Sequence, residues 1–163
     1  MLRTCFRRLT WTQPIMDSRI ATYQHIADVQ RLMVKVIGML HQRLLDHDQT
    51  KLYPPEVELF DEFTPKLKEC TYLSAEYKEF LEQLKPALNH HYAHSPHHPE
   101  HYPDGIRGMS LIDLLEMICD WYCAARRHND GNILVSTQKN QDRFKFSDEL
   151  KQILINTAKL LEH

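Results

Sequence analysis

The chain has 163 residues, of which 42% are hydrophobic and 26% are charged, a balance that is typical of a soluble globular protein with a real core. The 20 Lys and Arg residues are matched by 22 Asp and Glu residues, so the chain lacks the basic excess of a nucleic-acid-binding protein, and no apolar run reaches the ~18 residues of a membrane span. Histidine is unusually frequent, with 11 residues, and because it is the commonest metal ligand and titrates near neutral pH, the composition indicates a metal or acid–base site.

Residues 1–15 differ from the rest of the chain because they contain three arginines and no acidic residue. An Arg-rich, acid-free segment is typical of an organellar transit peptide, and a non-native or overextended start is the alternative that we favour. We therefore expect residues 1–15 to be a disordered or non-native extension and residues 16–163 to form a single domain.

The four cysteines contain no CxxC pair; they are Cys5, Cys70, Cys119 and Cys123. A chain of this size without a secretory signal is expected to keep such cysteines as free thiols in a reducing compartment. We expect a cytoplasmic protein.

The remainder of the chain follows a helical pattern, with only 4 glycines and little strand-like alternation. We predict an all-α fold, a compact bundle of about five to seven helices. Asp17 or Ser18 is placed to cap a first helix that carries apolar residues as far as Met33. A second apolar block runs from 36 to 45, and we expect a break near Gly38.

The middle of the chain is divided by prolines. Pro54 and Pro55 precede a short predicted helix over residues 56–63. Ser74 predicts the start of another helix, which Pro86 is expected to kink. Residues 90–108 contain three prolines and two glycines, so we predict a loop there.

The last third contains the most regular helix. Ser110 and Asp113 form a capping-box pattern that opens a helix from Leu111 to about His128. Residues 132–146 are ambiguous, and Ser147 predicts the start of a final helix.

Two histidine-containing strings carry the groups for chemistry. The string HDQTK begins at His47 and Asp48, and adjacent side chains at a helix end can both turn toward one cavity. Imidazole and carboxylate together suit Mn, Fe, Co, Ni or Zn, and a pair of such ions can activate water and hold a phosphoryl group. The second string, HHYAHSPHHPEHYPDG, has six histidines within residues 90–101.

His25, on the first predicted helix, is a ligand candidate under one condition. His25 and His47 are 22 residues apart, which on an unbroken helix corresponds to about 33 Å. A shared metal ion therefore requires a helical hairpin in this stretch.

Three acidic residues share one face of the predicted helix that begins at Leu111, because Asp113, Glu116 and Asp120 follow i, i+3, i+7 spacing. The rest of that helix is apolar, which indicates burial, and buried acids need partners. A metal ion or a metal-bound histidine would be such a partner; a solvated face, or a buried Asp120 bonded to Tyr or Arg, is the alternative.

The order His25, His47-Asp48, Asp120 resembles the HD-domain superfamily of all-α metal-dependent phosphohydrolases, and HDQTK is similar to its HDxGK or HDxSK motif. The resemblance is closest to a small bacterial and phage family with the pattern H…HD-x-SK-[FL]-x-P-x-E and A-x-x-HH-x5-HH-x-E. Here it is carried by His25, HDQTKLYPPE and ALNHHYAHSPHHPE, and it spans residues 25 to about 128. Thr50 replaces the family's Ser, and the missing GYP signature argues against a cyclic dinucleotide substrate.

The resemblance implies one or two divalent transition metal ions (Mn, Co, Ni, Zn or Fe) held by the ligands His25, His47, Asp48, His90, His91 and Asp120. We assign Lys51, Glu116 and His98 to catalysis: Lys51 and loop histidines such as His98 would neutralise phosphate charge, and Glu116, or alternatively Asp113, would orient a ligating histidine. His97, His101 and Arg126 are the candidate substrate-binding residues. The loop histidines could instead complete the metal shell or order the loop, and Arg126 could serve a helix C-terminus.

The function that these residues favour is metal-dependent hydrolysis of a nucleotide or related phosphoester by metal-activated water. A di-iron oxygenase, as in inositol oxygenase of the same fold, and a non-catalytic, metal-stabilised binding module are the alternatives. We expect a phosphorylated small molecule as partner, with no nucleic acid and no membrane, and a homodimer is left open.

Overall fold

The computed structural model describes residues 17–70, 74–126 and 132–162. All regular structure in these residues is helical, which confirms the predicted all-α fold, and the six α-helices fall within the predicted five to seven. They are α1 (Ser18–Asp46), α2 (Val57–Glu69), α3 (Ala75–His94), α4 (Leu111–Ala125), α5 (Ile133–Phe144) and α6 (Asp148–Leu160), with 3-10 turns at Gln49–Leu52, Pro99–His101 and Gly105–Gly108. The predictions for residues 1–15 and for the end of α4 at His128 lie outside the described residues.

The chain divides into two compact units between residues 36 and 37. The described part of the first unit is the N-terminal portion of α1, where the apolar side chains of Ile20, Ile26, Val29 and Met33 are exposed. α1 as a whole has no buried residue. The first unit therefore contributes no described core.

The predicted break near Gly38 is wrong, because α1 continues through it to Asp46. A glycine inside a helix costs only about 1 kcal/mol relative to alanine, which the flanking helix-forming residues offset. The hairpin on which His25 depended is therefore absent, and His25 lies exposed on an unbroken helix.

The second unit contains two apolar clusters. In the larger one, Met117, Ile118 and Trp121 of α4 pack with residues from α5 and α6, including Ile133 and Leu154. The Trp121 and Phe144 rings lie nearly parallel, with centroids 6.2 Å apart. The smaller cluster joins α2 and α3 through Phe63, Leu84 and Ala87. The larger cluster buries the apolar face of α4 and leaves its acidic side chains on other faces.

The helix ends follow local hydrogen bonding. Ser74, Ser110 and Ser147 cap α3, α4 and α6 as predicted, and the capping box between Ser110 and Asp113 is complete. Asn132 accepts hydrogen bonds from the first turn of α5, so the ambiguous region after residue 132 is helical. None of the described helices combines the length and the hydrophobicity that a membrane crossing needs.

The predicted loop over residues 90–108 begins too early. α3 continues through Pro86 as far as His94, so His90 and His91 lie in its last turns. The predicted helix over 56–63 likewise extends to Glu69. The extension of α3 gives His91 a rigid helical backbone rather than a loop.

Candidate metal centre

The end of α1 places the HD pair. His47 follows the last residue of α1, and Asp48 adopts the left-handed conformation (φ 57°, ψ 10°) that ends the helix. This conformation is uncommon outside glycine, tolerated best by Asn and Asp, and is often found at functional sites. The 3-10 turn that follows brings Lys51 Nζ to 2.7 Å from Asp48 Oδ2.

Three histidines that follow Asp48 in the sequence converge on it in the structure. His91 comes from the end of α3, and His97 and His98 from the loop after it. One candidate ligand atom from each of Asp48, His91, His97 and His98 lies within 4.8 Å of the others. His91 Nε2 lies 3.2 Å from Asp48 Oδ1, and His97 Nε2 lies 3.5 Å from the same oxygen.

These distances fit a single transition metal ion. A tetrahedral ion with ligands at ~2.1 Å separates its ligand atoms by roughly 3.4 Å, close to the 3.2 and 3.5 Å that join His91 and His97 to Asp48. Asp48 Oδ1 and His97 Nε2 are buried and lie within ion-pair distance of each other, but neither makes a well-formed hydrogen bond in the described structure. Buried polar atoms rarely lack a hydrogen bond, so these two facing atoms suit a site for a cation.

Glu56 fixes the orientation of His91. Its carboxylate is fully buried, and it accepts hydrogen bonds from His91 Nδ1 at 3.1 Å, from Thr50 Oγ1 at 3.0 Å and from His90 Nδ1 at 2.6 Å. A carboxylate accepts hydrogen bonds, so His91 Nδ1, which faces Glu56, is the donor. His91 Nε2 therefore points toward Asp48 and His98, as a metal ligand requires.

Glu116 plays the same role for two other histidines. Its Oε1 accepts from His47 Nδ1 at 2.9 Å and from His97 Nδ1 at 3.0 Å. Its Oε2 pairs with Arg43 at 3.3 Å. Burial raises the pKa of Glu116, but the hydrogen bonds from His97 and His47 and the Arg43 charge outweigh it and hold this pKa below its ordinary value. Glu116 is therefore an ionised acceptor that turns both Nε2 atoms away from itself.

The electrostatics of the cluster favour a positive charge at its centre. Burial lowers the pKa of His97, but Asp48 and Glu116 reverse this effect and raise the pKa to about 9. Burial and the neighbouring His97 and His91 lower the pKa of His98 to about 2, so His98 is neutral. Burial opposes ionisation of Asp48, but His91, His97 and Lys51 hold its pKa well below the ordinary range. Without an ion, His97 therefore carries the positive charge that balances Asp48 and Glu116, and His98 offers a neutral imidazole; a bound cation would replace the His97 proton.

A second group of candidate ligands adjoins the first. His47, Asp48 and Asp120 also offer ligand atoms within 4.8 Å of one another, and Asp48 belongs to both groups. Asp120, on α4, is partly exposed. Of the six ligands predicted from the sequence, the structure thus places His47, Asp48, His91 and Asp120 in these two groups.

A polar network joins this site to the start of α4. The buried Asp113 accepts from Ser110 Oγ at 2.7 Å and from Tyr102 Oη at 2.9 Å, and it pairs with Arg43 at 2.5 Å. Burial and the bond to Asp113 raise the pKa of Tyr102 to about 12, so the phenol remains a donor. Arg43 therefore links Asp113 to Glu116 and positions the latter.

A cavity of about 650 Å³ opens beside the cluster, between the last turns of α1 and the outer face of α4. This volume is typical of a small-molecule site. The lining residues are Leu40, Arg43, Leu44, His47, Asp48, Leu115, Glu116, Cys119, Asp120 and Cys123. His47, Asp48 and Asp120 belong to both the cavity and the candidate metal ligands.

Besides Lys51, which pairs with Asp48, four predicted site residues lie outside the metal groups found among the described residues. His25 is exposed on α1. His90 binds the other oxygen of Glu56 and stacks on His94. His101 Nδ1 donates to the Tyr92 carbonyl oxygen at 2.9 Å, and Arg126 lies 5.6 Å from the Tyr122 ring centre. For His101 and Arg126 the observed contacts are those of an ordered loop and a helix end.

The sequence interpretation assigned no role to Glu56 or Arg43. Glu56 is the last residue of the string HDQTKLYPPE, so its place in that string was the available signal. Arg43 precedes His47 by four residues on α1, a spacing that places both side chains on one face. His97 and His98, predicted for substrate binding and catalysis, lie among the candidate ligands instead.

Comparison with known proteins gives one match. The model of a family of unknown function (DUF5662) matches residues 15–160. No curated protein and no solved structure matches the chain.

Proposed function

Because the chain belongs to the DUF5662 family, whose description carries no activity, we propose its function from the site: metal-dependent hydrolysis of a phosphoester, a nucleotide or a related compound. The observation that carries this proposal is the convergence of His91, His97 and His98 on Asp48, where the buried Asp48 Oδ1 and His97 Nε2 make no hydrogen bond and Asp48 also lines the cavity. A metal site that opens to a cavity of this size is suited to catalysis.

Asp48, His91, His97 and His98 would hold the ion, with His47 and Asp120 beside them on the cavity side. A bound divalent ion supplies Lewis-acid stabilisation and lowers the pKa of water that it binds. Glu56 and Glu116 bind Nδ1 of His91 and His97 and so direct both Nε2 atoms toward the site, where an ion would displace the proton that His97 carries at neutral pH. These contacts pre-organise the ligands before an ion arrives.

The cations around the site suit an anionic substrate. Lys51 lies against the outer oxygen of Asp48, and Arg43 lines the cavity. Lys51 keeps Asp48 ionised, and Arg43 offsets the charge of Glu116 and Asp113. Together with a divalent ion, these groups reduce the repulsion that a phosphoryl group would meet from Asp48, Glu116 and Asp120.

The test combines metal content with turnover. We expect purified protein to hold about one or two equivalents of Mn, Co, Ni, Zn or Fe by mass spectrometry, and a panel of nucleotides and phosphomonoesters to include a hydrolysed compound. Asp48→Asn should lose both metal and turnover, whereas Asp61→Asn, at an exposed position of α2, should retain both. Two equivalents of iron with oxygen consumption would favour the oxygenase, and failure to take up any metal would refute the proposal.

A further inference from the structure

We infer that the cavity takes a phosphoester whose organic group is apolar; this inference rests on the proposed function and adds the substrate class. The lining residues form two rows on each of the two helices, one of apolar or cysteine side chains and one of polar side chains. On α4, Leu115, Cys119 and Cys123 recur every four residues, and Glu116 and Asp120 follow one position later. Residues four apart on a helix lie on one face, so the apolar and acidic groups form parallel rows.

α1 contributes the matching rows. Leu40 and Leu44 are four apart, and so are Arg43 and His47. The polar row leads directly into the metal centre, because His47 and Asp48 belong to both. A ligand whose phosphoryl group reaches the metal centre therefore lies with the rest of its body against leucine and cysteine side chains.

The polar row is largely occupied by its own contacts. Arg43 pairs with Asp113 and Glu116, and Glu116 accepts from His47 and His97. A sugar with many hydroxyl groups would have to compete with these hydrogen bonds. An apolar group instead covers Leu44 and Leu115, which are 71% and 37% exposed, and gains from their removal from water.

The experiment compares hexylphosphonate with methylphosphonate, which share the anionic group and resist hydrolysis. Binding to the Mn²⁺-loaded protein is measured by calorimetry. Each buried methylene strengthens binding about four-fold, so burial of two of the five additional methylenes predicts roughly 15-fold tighter binding of hexylphosphonate. Because the readout is a ratio, it does not depend on the affinity of the phosphonate group itself.

Two leucines of α4 provide the variant and its control. Leu115→Ala should reduce the hexyl-to-methyl affinity ratio at least three-fold. Leu111→Ala should leave it unchanged, because Leu111 is 75% exposed and does not line the cavity. Equal binding of the two phosphonates, or equal effects of the two variants, would overturn the inference.

Further outcomes separate this inference from the proposed function. A preference for hexylphosphonate without hydrolysis of hexyl phosphate supports the apolar ligand and contradicts the hydrolase. Hydrolysis of phosphoesters without a chain-length preference does the reverse. Light scattering gives the oligomeric state of the wild-type protein over the same concentrations. A chain-length preference that is lost as the protein dimerises would show that a second copy covers the cavity, and would overturn the inference.

Discussion

Two regions of the molecule bury opposite kinds of side chain to a similar degree. One is the apolar core that α4 shares with α5 and α6; the other is the pair His91 and His97 in the histidine cluster at Asp48. Met117 and Ile118 have no exposed surface, and His91 and His97 are 1% and 2% exposed. In the core, burial is itself the source of stability, because apolar surface leaves water. In the cluster, burial is unfavourable unless each polar atom finds a partner.

The protein supplies hydrogen-bond partners to one side of the histidine cluster. Glu56 and Glu116 occupy the Nδ1 atoms of His47, His90, His91 and His97. On the opposite side of the cluster, Asp48 Oδ1 and His97 Nε2 make no hydrogen bond. The core is therefore complete as folded, whereas the cluster has the arrangement that our proposed metal site requires.

The largest expected effect tests the core side of this comparison. Trp121→Ala should lower the free energy of unfolding by about 3–5 kcal/mol, because it removes a large buried ring and leaves a cavity. Urea denaturation with and without chelator measures the loss, which should be the same in both. Ile153→Ala, at a 57% exposed position of α6, is the control and should change stability far less. A loss that depends on metal would contradict the separation of core from cluster.

Metal binding tests the cluster side. With free metal at 100 times its Kd, the wild-type protein should gain about 2.7 kcal/mol of stability. His97→Ala should lose most of this gain, because it removes one of the proposed metal ligands and leaves Asp48 in an incomplete site. Thermal denaturation at several metal concentrations measures both. His94→Ala, an exposed position at the end of α3, should keep the full gain; equal gains in wild type and His97→Ala would place the metal elsewhere.

Glu56 tests the cluster indirectly, because it is not among the candidate metal ligands but binds one of them, His91. Glu56→Gln should weaken metal binding about 10–100-fold, since an amide no longer fixes the Nδ1 proton of His91. Competition with a chelating dye measures the affinity. Glu58→Gln, on an exposed position of α2, should bind metal like the wild type. An unchanged affinity in Glu56→Gln would assign Glu56 to stability alone.

The smallest expected effect concerns acid. Burial raises the pKa of Asp113, but the hydrogen bonds from Ser110 and Tyr102 and the Arg43 charge outweigh burial and hold this pKa below its ordinary value. A depressed carboxyl pKa contributes stability that is present above the ordinary pKa and lost as pH falls through the folded one. Asp113→Asn should therefore cost about 1 kcal/mol at pH 7, and the difference from wild type should shrink below about pH 4.

Denaturation of the chelated protein at a series of pH values measures this effect. Glu116 also pairs with Arg43 and is still present in Asp113→Asn, so it contributes to the pH dependence of stability in both proteins. A difference that grows as pH falls would contradict the assignment of Asp113 as an ionised acceptor.

Local features of the chain made much of the fold predictable. Ser74, Ser110 and Ser147 were correctly predicted as caps because an N-cap depends on a few neighbouring residues. The predicted boundaries failed at Gly38, which α1 continues through, and at residue 90, because α3 extends to His94. Whether a helix continues depends on the summed helix propensity of the flanking turns, which one weak residue does not indicate.

The amino-acid sequence by itself determined the all-helical class, the HD pair at a helix end and the presence of histidines in excess. Only the tertiary structure decided which histidines meet: His91, His97 and His98 converge on Asp48, while His25, His90 and His101 do not. Spacing along a chain limits distance within one helix, but meeting at one point depends on how α3, its following loop and the end of α1 are held. That arrangement is set by long-range contacts, of which the bonds from Glu56 and Glu116 are the clearest.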